Sequence, residues 1–394
     1  MGDTVVSSFD VAVVGLGAAG SSLVRSLALD GISTIGFDQF HPPHEIGSSH
    51  GETRLTRVAN GEGDVYAPMA LRSIEIWREL EQETGEELFV ECGAIIISNP
   101  DQVAERIVRK NFLRETQSVA ERFGIPHEIL DAEEIRYRFP HFGISDSDRA
   151  YYEPGAGYLK PELCISTQLA AAQRIGASLR FGTKVQSIEG RGGGVVITTN
   201  DESLEVGRVA VCAGPWAGEL LGPPFLAALK PYRQTLHWFP IDGEYKEAWQ
   251  AGPAFTWPHG TGSGDFFYGF PYLPSTGFAK VGTEGFAATT HPDLSLSIDQ
   301  NAAWQVFERH LRGRLLGLHP TGAVSKSCQY TVTSDFQFVI DHHPDNENIW
   351  IISACSGHGF KHSPAVGEAV AALLNRVEPS VDLSGFALDR LDLF

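Results

Sequence analysis

Basic residues are scarce in this sequence, and long apolar runs are missing. Its 394 residues include 30 Lys and Arg against 49 Asp and Glu, which gives a net charge of −19. A chain of this charge repels phosphate groups, so we exclude a nucleic-acid partner. No apolar run approaches the roughly 18 residues that span a bilayer. The first ten residues, MGDTVVSSFD, also lack the basic and apolar regions of a signal peptide. We therefore expect a cytoplasmic protein with no membrane partner.

Cysteine is also rare, and its pattern argues against two classes of site. The five cysteines are odd in number, lie far apart and form no CxxC pair: Cys92, Cys164, Cys212, Cys328 and Cys355. This pattern is typical of cytosolic thiols and of neither a disulfide framework nor a zinc site, so we expect no metal. With 42% hydrophobic and 20% charged residues, the chain has the composition of a globular enzyme.

A glycine motif near the N-terminus carries the first chemical signal. The apolar run FDVAVVG predicts a buried strand, and Gly15, Gly17 and Gly20 follow it with the spacing GxGxxG. The next segment, SSLVRSLAL, has helical periodicity, and a second strand, ISTIGFD, ends on Asp38. Glycines let the backbone approach a pyrophosphate, the helix N-terminus faces the phosphates, and the acid can bind a ribose hydroxyl. The arrangement predicts a dinucleotide site but does not distinguish FAD from NAD.

Two further segments suggest how that site continues. In residues 41–57, HPPHEIGSSHGETRLTR, Arg54 and Arg57 are three residues apart, so a helix from Thr53 onward would place both on one face. Residues 351–369, IISACSGHGFKHSPAVGEA, predict a strand, a glycine-rich loop containing Lys361, and a helix that begins near Pro364. The run RVAVCAG at 208–214 predicts another buried strand that ends at glycine.

Taken in order, these motifs resemble those of one enzyme family. GxGxxG, the acid after the second strand, GSSHGETRLTR, KSCQY and SGHGFKHSPAVGE are similar to the motifs of the monomeric sarcosine oxidase and N-methyltryptophan oxidase family. This family lies within the flavoproteins related to D-amino-acid oxidase, and the similarity covers nearly the whole chain. The resemblance implies an oxidase of secondary amino acids such as sarcosine. The C–N bond becomes an imine that hydrolyses, and O₂ is reduced to H₂O₂. It also implies FAD attached through its 8α carbon to Cys328, with Cys355 as the weaker candidate, and a monomer.

The same resemblance assigns roles to individual residues. Arg57 and Lys361 match the pair that binds the substrate carboxylate, Lys280 in GFAKVGTE matches the lysine that promotes the reaction with oxygen, and Tyr268 matches a wall of the substrate cavity, as does Tyr330. The remaining matched positions lie near the cofactor: Gly15, Gly17, Gly20, Asp38, His50, Thr53, Arg54, Cys328, Gly357, Gly359 and Lys361.

Two positions depart from the family pattern. Glu284 stands where sarcosine oxidases have a histidine, and Asn60 stands where they have a tyrosine. An acid beside the substrate nitrogen favours a cationic or polyhydroxylated substituent, and fructosyl-amino-acid oxidases resemble this chain in having a glutamate there. Sarcosine itself is therefore in question. A fructosyl-amino-acid oxidase and an oxidase of cyclic imino acids of the pipecolate type remain alternatives.

The fold expected is α/β, with two interleaved domains. A Rossmann-like FAD-binding domain takes residues 1–92, 150–228 and 322–394. A substrate-binding domain built on an antiparallel sheet takes 93–149 and 229–321. The stretch 101–123 predicts a helix that covers this sheet, with Phe112 and Leu113 near its apolar face.

Three readings of the chemistry remain besides the oxidase. A flavin dehydrogenase would pass electrons to a partner, which the matched Lys280 opposes. A nucleotide-binding module with a decayed site is hard to reconcile with Cys328, Lys280, Arg57 and Lys361 standing together. An NAD dehydrogenase would also suit GxGxxG followed by Asp38.

Overall fold

The protein is built on three β-sheets with helices packed around them. A computed structural model describes residues 9–100, 111–286, 288–294, 297–391 and 393. The strands are β1 (Phe9–Val14), β2 (Thr34–Phe37), β3 (Arg54–Thr56), β4 (Phe89–Val90), β5 (Ala94–Ser98), β6 (Glu128–Leu130), β7 (Arg149–Glu153), β8 (Gly157–Leu159), β9 (Ser178–Arg180), β10 (Val185–Arg191), β11 (Gly194–Thr199), β12 (Ser203–Val211), β13 (Lys230–Pro240), β14 (Ala254–Pro258), β15 (Phe266–Leu273), β16 (Phe278–Thr283), β17 (Val324–Val332), β18 (Val339–His343) and β19 (Asn346–Ser353). The helices are α1 (Ala18–Leu29), α2 (Tyr66–Thr84), α3 (Phe112–Phe123), α4 (Ala132–Arg138), α5 (Pro161–Arg174), α6 (Ala217–Leu221), α7 (Phe225–Ala228), α8 (Lys246–Gln250), α9 (Ala302–Val306) and α10 (Ser363–Leu374).

The first sheet has a parallel centre, in the order β9-β2-β1-β12-β19. Antiparallel strands extend it, because β10 and β11 form a meander with β12 while β18 pairs with β19. Strand β1 is apolar at consecutive positions because both faces are covered. Val11 and Val13 pack in a core with α1, α5 and α10, whereas Ala12 and Val14 pack in the core on the opposite face. The predicted α/β, Rossmann-like fold is confirmed.

The second sheet has the order β17-β13-β16-β15-β14-β5-β7-β6 and is antiparallel except between β14 and β5. One face carries Phe239, Phe255 and Phe267, which pack in a single core with Trp249 of α8. The other face carries a second cluster that includes Trp238, Phe270, Cys328 and Tyr330. Alternate residues of each strand therefore serve different environments, and the second face is the one that meets the candidate site.

Two of the expected domain boundaries cut through this second sheet. Strand β7 begins at Arg149 and pairs with β5 and β6, although the range 150–228 was assigned to the FAD-binding domain. Strand β17 pairs along its whole length with β13, although it lies within the range 322–394. A small third sheet, β3-β8-β4, holds the segment that contains Arg54.

The helix expected over 101–123 is present where the chain is described. Helix α3 begins at Phe112 and packs on β5 and β7, with Phe112 buried and Leu113 half-buried. Residues 101–110 of that expectation lie outside the described residues. Across the described part of the chain, no helix is both long enough and apolar enough to cross a bilayer.

Buried histidines make the fold sensitive to acid. Burial lowers the pKa of His141 to about 3 and that of His237 to about 4. Burial does the same to His259 and His310, which contact each other and whose pKa values fall to about 4. An unfolded chain binds these protons near the ordinary histidine pKa of about 6.5. The stability that these neutral histidines contribute is therefore fully present above pH 6.5. It is lost as the pH falls from there towards their pKa values in the folded protein.

We predict that His141→Phe, which replaces a ring inside an aromatic cluster, reduces this acid sensitivity. Each such histidine removes at most about 1.4 kcal/mol of unfolding free energy per pH unit. Between pH 7 and pH 5, the unfolding free energy of the wild type should therefore fall by about 2 kcal/mol more than that of the variant, as measured by urea unfolding. His319→Phe, at a position whose side chain is 41% exposed, is the control and should behave as wild type. An equal loss in His141→Phe and wild type would contradict the prediction.

Candidate cofactor and substrate site

A cavity of about 430 Å³ is bounded by residues of the first and second sheets. It runs from the turn after β1 to the aromatic face of the second sheet. The cavity is lined by the predicted site residues Gly15, Gly17, Asp38, Arg54, Arg57, Tyr268, Glu284, Tyr330, Gly357, Gly359 and Lys361, and by Cys355, the weaker candidate for the flavin link. Five others lie nearby without lining it: Gly20, His50, Thr53, Lys280 and Cys328.

The glycine motif has the geometry that close approach requires. Gly15 has a φ of +92°, and a Cβ there would lie 2.5 Å from the carbonyl oxygen of Cys212. A Cβ on Gly20 would lie 1.8 Å from the oxygen of Gly15, so this glycine lets α1 pack against the turn. Asp38 accepts hydrogen bonds from the backbone N–H groups of Leu16 and Phe40, each at 2.8 Å. The motif therefore forms a cradle at the N-terminus of α1, closed by a buried carboxylate.

The segment 48–53 is irregular and is followed by the short strand β3, so no helix begins at Thr53. Arg54 lies in β3, which pairs with β8, a strand a hundred residues further along the chain. The Arg54 guanidinium donates to the carbonyl oxygens of Thr53 at 2.9 Å and of Ser48 at 2.7 Å. Arg57 follows the end of the strand, and both side chains line the cavity, although no helix presents them.

Arg57 and Lys361 lie at the same cavity, although 304 positions separate them in the sequence. Arg57 Nε donates to the carbonyl oxygen of Ala59 at 3.0 Å, and its Nη2 lies 3.4 Å from Glu62 Oε2. The ring of Phe112 lies 5.1 Å from Arg57 Cζ. Lys361 Nζ donates to the carbonyl oxygen of His358 at 2.9 Å. Two buried cations thus line one cavity, and Glu62, which no sequence signal marked, lines it with them.

The glycine-rich loop before α10 also lines the cavity. Gly357 has a φ of +80°, and a Cβ on Gly359 would lie 1.8 Å from the oxygen of Ala354, so the loop accepts no side chain at either position. Glu284 lies beside this loop, since its Oε1 would be 3.8 Å from a Cβ on Gly357. The ring of Tyr330 would lie 3.3 Å from the same Cβ, its hydroxyl oxygen is 3.0 Å from that of Tyr268, and burial raises the pKa of both tyrosines.

Lys280 is buried, although a lysine on a hairpin strand is usually exposed. Its neighbours Ala279 and Val281 face the aromatic core of the second sheet, so Lys280 faces the other side, next to the rings of Trp238 and Phe270. Lys280 Nζ donates to the carbonyl oxygens of Gly51 and Thr53 and to Thr53 Oγ1. Burial and then the charge of Arg54 lower the pKa of Lys280. Three oxygen acceptors nevertheless match the three N–H groups of the protonated form.

His50 and Cys328 lie in the field of the same cations. Burial, followed by the charges of Arg54 and Lys280, lowers the pKa of His50 to about 3. Burial raises the pKa of the Cys328 thiol to about 11, while Arg54 and Lys280 oppose that rise. Cys328 lies two positions before Tyr330 on β17, so both side chains belong to the face that meets the cavity.

The residues present fit a dinucleotide with a flavin at the far end. Within the described part of the chain, the buried hydroxyl of Ser48 has no hydrogen-bond partner and yet lines the cavity, so it can bind a group placed there. The glycine cradle suits a pyrophosphate, Asp38 suits a ribose, and the cations suit a ring that gains negative charge.

Comparison with known proteins agrees with this geometry. The profile of the family described as DAO, FAD dependent oxidoreductase, matches residues 10–373. The chain is 35% identical to an N-methyl-L-tryptophan oxidase of Yersinia pestis (strain Pestoides F) over 391 residues, covering 97% of this chain and 99% of that relative.

Among solved structures, NikD, an amino acid oxidase essential for nikkomycin biosynthesis, is similar in its open form with a TM-score of 0.81 and 23% identity, over 97% of this chain and 98% of NikD. L-proline dehydrogenase from P. horikoshii is similar with a TM-score of 0.78 and 19% identity, over 98% of this chain and 100% of that one. At these identities the two structures support the fold.

Proposed function

Because the chain belongs to the family of FAD-dependent oxidoreductases, we propose that it oxidises the C–N bond of N-substituted α-amino acids with O₂ as the electron acceptor. The observation that carries the proposal is the pair Arg57 and Lys361, two buried cations beside an aromatic wall in the cavity that also contains the glycine cradle. The 35% identity to an N-methyl-L-tryptophan oxidase over nearly the whole chain supports the same reaction.

The cofactor would be bound along the whole cavity. Gly15 and Gly17 leave space for its pyrophosphate, Asp38 binds a ribose hydroxyl, and Arg54 and the loop containing Gly357 and Gly359 approach the flavin. When bound, FAD supplies the two-electron oxidation of the amine and the later transfer of electrons to O₂. The products are an imine, which water hydrolyses, and H₂O₂.

The protein's contribution to the amine oxidation is binding and orientation. Arg57 and Lys361 bind the substrate carboxylate, which in a protein of net charge −19 needs a local cationic pocket. Tyr268 and Tyr330 add an aromatic lining to the same cavity. The amine binds in its neutral form, and we assign no side chain as a general base. Positioning and electrostatics account for the catalysis expected of the chain.

Glu284 suggests which substituents the site accepts. Its carboxylate lies at the cavity beside the loop of Gly357, where it favours a substituent with a positive charge or several hydroxyl groups. This observation favours fructosyl-amino acids as the second candidate, ahead of cyclic imino acids of the pipecolate type and of sarcosine. The proposed enzyme is monomeric and cytoplasmic, in keeping with five free thiols.

The proposal predicts rapid bleaching of the flavin by substrate in the absence of oxygen. We expect N-methyl-L-tryptophan or a fructosyl-amino acid to reduce the wild-type flavin, as followed by its visible absorbance. Arg57→Ala should weaken the apparent affinity by about tenfold to a hundredfold, because a charge-assisted pair is worth about 1.5–3 kcal/mol. Arg149→Ala, on an arginine outside the cavity, is the matched control. An Arg57→Ala variant that binds substrate as tightly as wild type would contradict the proposal.

Lys280 is proposed to accelerate the reaction with oxygen. A fixed positive charge stabilises the superoxide that forms when one electron reaches O₂. Lys280→Met should therefore slow reoxidation of the reduced enzyme by at least about a hundredfold. Its rate of reduction by substrate should change far less. Stopped-flow mixing with oxygenated buffer measures the step, and Lys326→Met, at an exposed lysine of β17, is the control. Reoxidation at the wild-type rate would favour a dehydrogenase instead.

Cys328 is proposed to attach the FAD covalently. The cations Arg54 and Lys280 favour its thiolate, the form that reacts. Denaturation in acid should leave the yellow colour with the wild-type protein, and Cys328→Ala should release it into the supernatant. Cys355→Ala, which alters the other cysteine of this region, should retain the colour. Release from Cys355→Ala and retention by Cys328→Ala would reverse the assignment.

A further inference from the structure

Glu153, the last residue of β7, is a buried carboxylate that the proposed reaction does not use. Its side chain is 2% exposed. It accepts hydrogen bonds from the backbone N–H of Val58 at 2.7 Å, the backbone N–H of Ala59 at 3.3 Å and the hydroxyl of Tyr151 at 2.8 Å. These three donors satisfy a carboxylate that would be costly to bury without hydrogen-bond partners.

The backbone that Glu153 binds also holds Arg57. Val58 and Ala59 directly follow Arg57, and the carbonyl oxygen of Ala59 accepts the hydrogen bond from Arg57 Nε at 3.0 Å. The Asn60 side chain closes the turn by donating to the carbonyl oxygen of Val58 at 2.8 Å. One carboxylate therefore fixes the two peptide N–H groups that immediately precede the carbonyl orienting the guanidinium.

We propose that Glu153 is a positioning residue, which fixes the 57–60 turn so that Arg57 points its guanidinium at the substrate carboxylate. The inference rests on the proposed function, because it needs a carboxylate ligand at Arg57. Glu153 does not line the cavity, so it acts through the turn and touches no substrate.

A purely electrostatic role for Glu153 would change anion binding at Arg57 in the opposite direction. Burial raises the pKa of Glu153, and Arg57 is among the groups that oppose this rise, so the two charges interact. If Glu153 acted only as a counter-charge, neutralising it would strengthen the attraction between Arg57 and an anion. If Glu153 positions Arg57, removing an acceptor of the turn's N–H groups weakens the binding of that anion. Glu62, at 3.4 Å, remains the nearer charge partner in either case.

The test compares two ligands of similar shape, acetate and neutral acetamide, on the flavin-loaded enzyme. Glu153→Gln replaces one acceptor oxygen by an N–H₂ group that faces donors. We expect its dissociation constant for acetate, from perturbation of the flavin spectrum or from competition with substrate, to rise by about tenfold, the loss of one hydrogen bond to a charged group. Acetamide binding should stay within about twofold of wild type. The KM for the amino acid should rise in parallel while kcat stays within a few-fold.

Three further variants separate positioning from general damage. Glu153→Asp keeps the charge but is one methylene too short to reach both N–H groups, so it should weaken acetate binding even if Glu153→Gln does not fold. Tyr151→Phe removes only the hydroxyl donor and should bind acetate nearly as wild type. Ile135→Val, in the core of the second sheet, should lower the melting temperature without changing acetate affinity.

The outcomes test the positioning role of Glu153 and the carboxylate site at Arg57 separately. Unchanged or tighter acetate binding in the folded Glu153 variants overturns the positioning role while leaving the proposed function intact. A wild type that does not prefer acetate to acetamide, or an Arg57→Ala variant that keeps the preference, overturns the carboxylate site itself and this inference with it.

Discussion

Backbone carbonyl groups of one short segment solvate the buried cations, and the rest of the site depends on this interaction. Arg54 donates to Ser48 and Thr53, Arg57 donates to Ala59, and Lys280, from the second sheet, donates to Gly51 and Thr53. A buried cation is costly unless oxygen atoms replace its water. The turn-rich segment 48–59 provides these oxygens, and a regular helix there would have used them in its own hydrogen bonds.

The same cations set the protonation of their neighbours. Together with burial they keep His50 neutral at a pKa of about 3, and they oppose the effect of burial on Cys328. In a strongly acidic protein, positive charge is thus concentrated at the cavity, where the proposed substrate carboxylate would bind and the proposed reaction with oxygen would occur.

Local patterns in the sequence predicted the first β-α-β unit, the hairpin of Lys280 and the glycine loop before α10, because each is stabilised by neighbours in the chain. The sequence did not indicate the strand at Arg54, because its partner, β8, is distant in the sequence. Strand β17 was expected in the cofactor domain for the same reason, since its pairing with β13 spans about a hundred residues. Glu153 left no signal at all, because its role depends on backbone groups 94 and 95 positions away.

The two walls of the cavity are carried by different parts of the fold. The third sheet and the turn held by Glu153 carry Arg57, whereas the hairpin β15–β16 carries Tyr268 and Glu284. The side-chain amide of Gln234 anchors the residue after Glu284 by donating to Gly285 O at 2.7 Å and accepting from Gly285 N at 2.9 Å. The hydrogen bonds that fix Gly285 are separate from the one that orients Arg57, so a substitution at residue 284 can alter the proposed substituent contact without disturbing the Arg57 guanidinium.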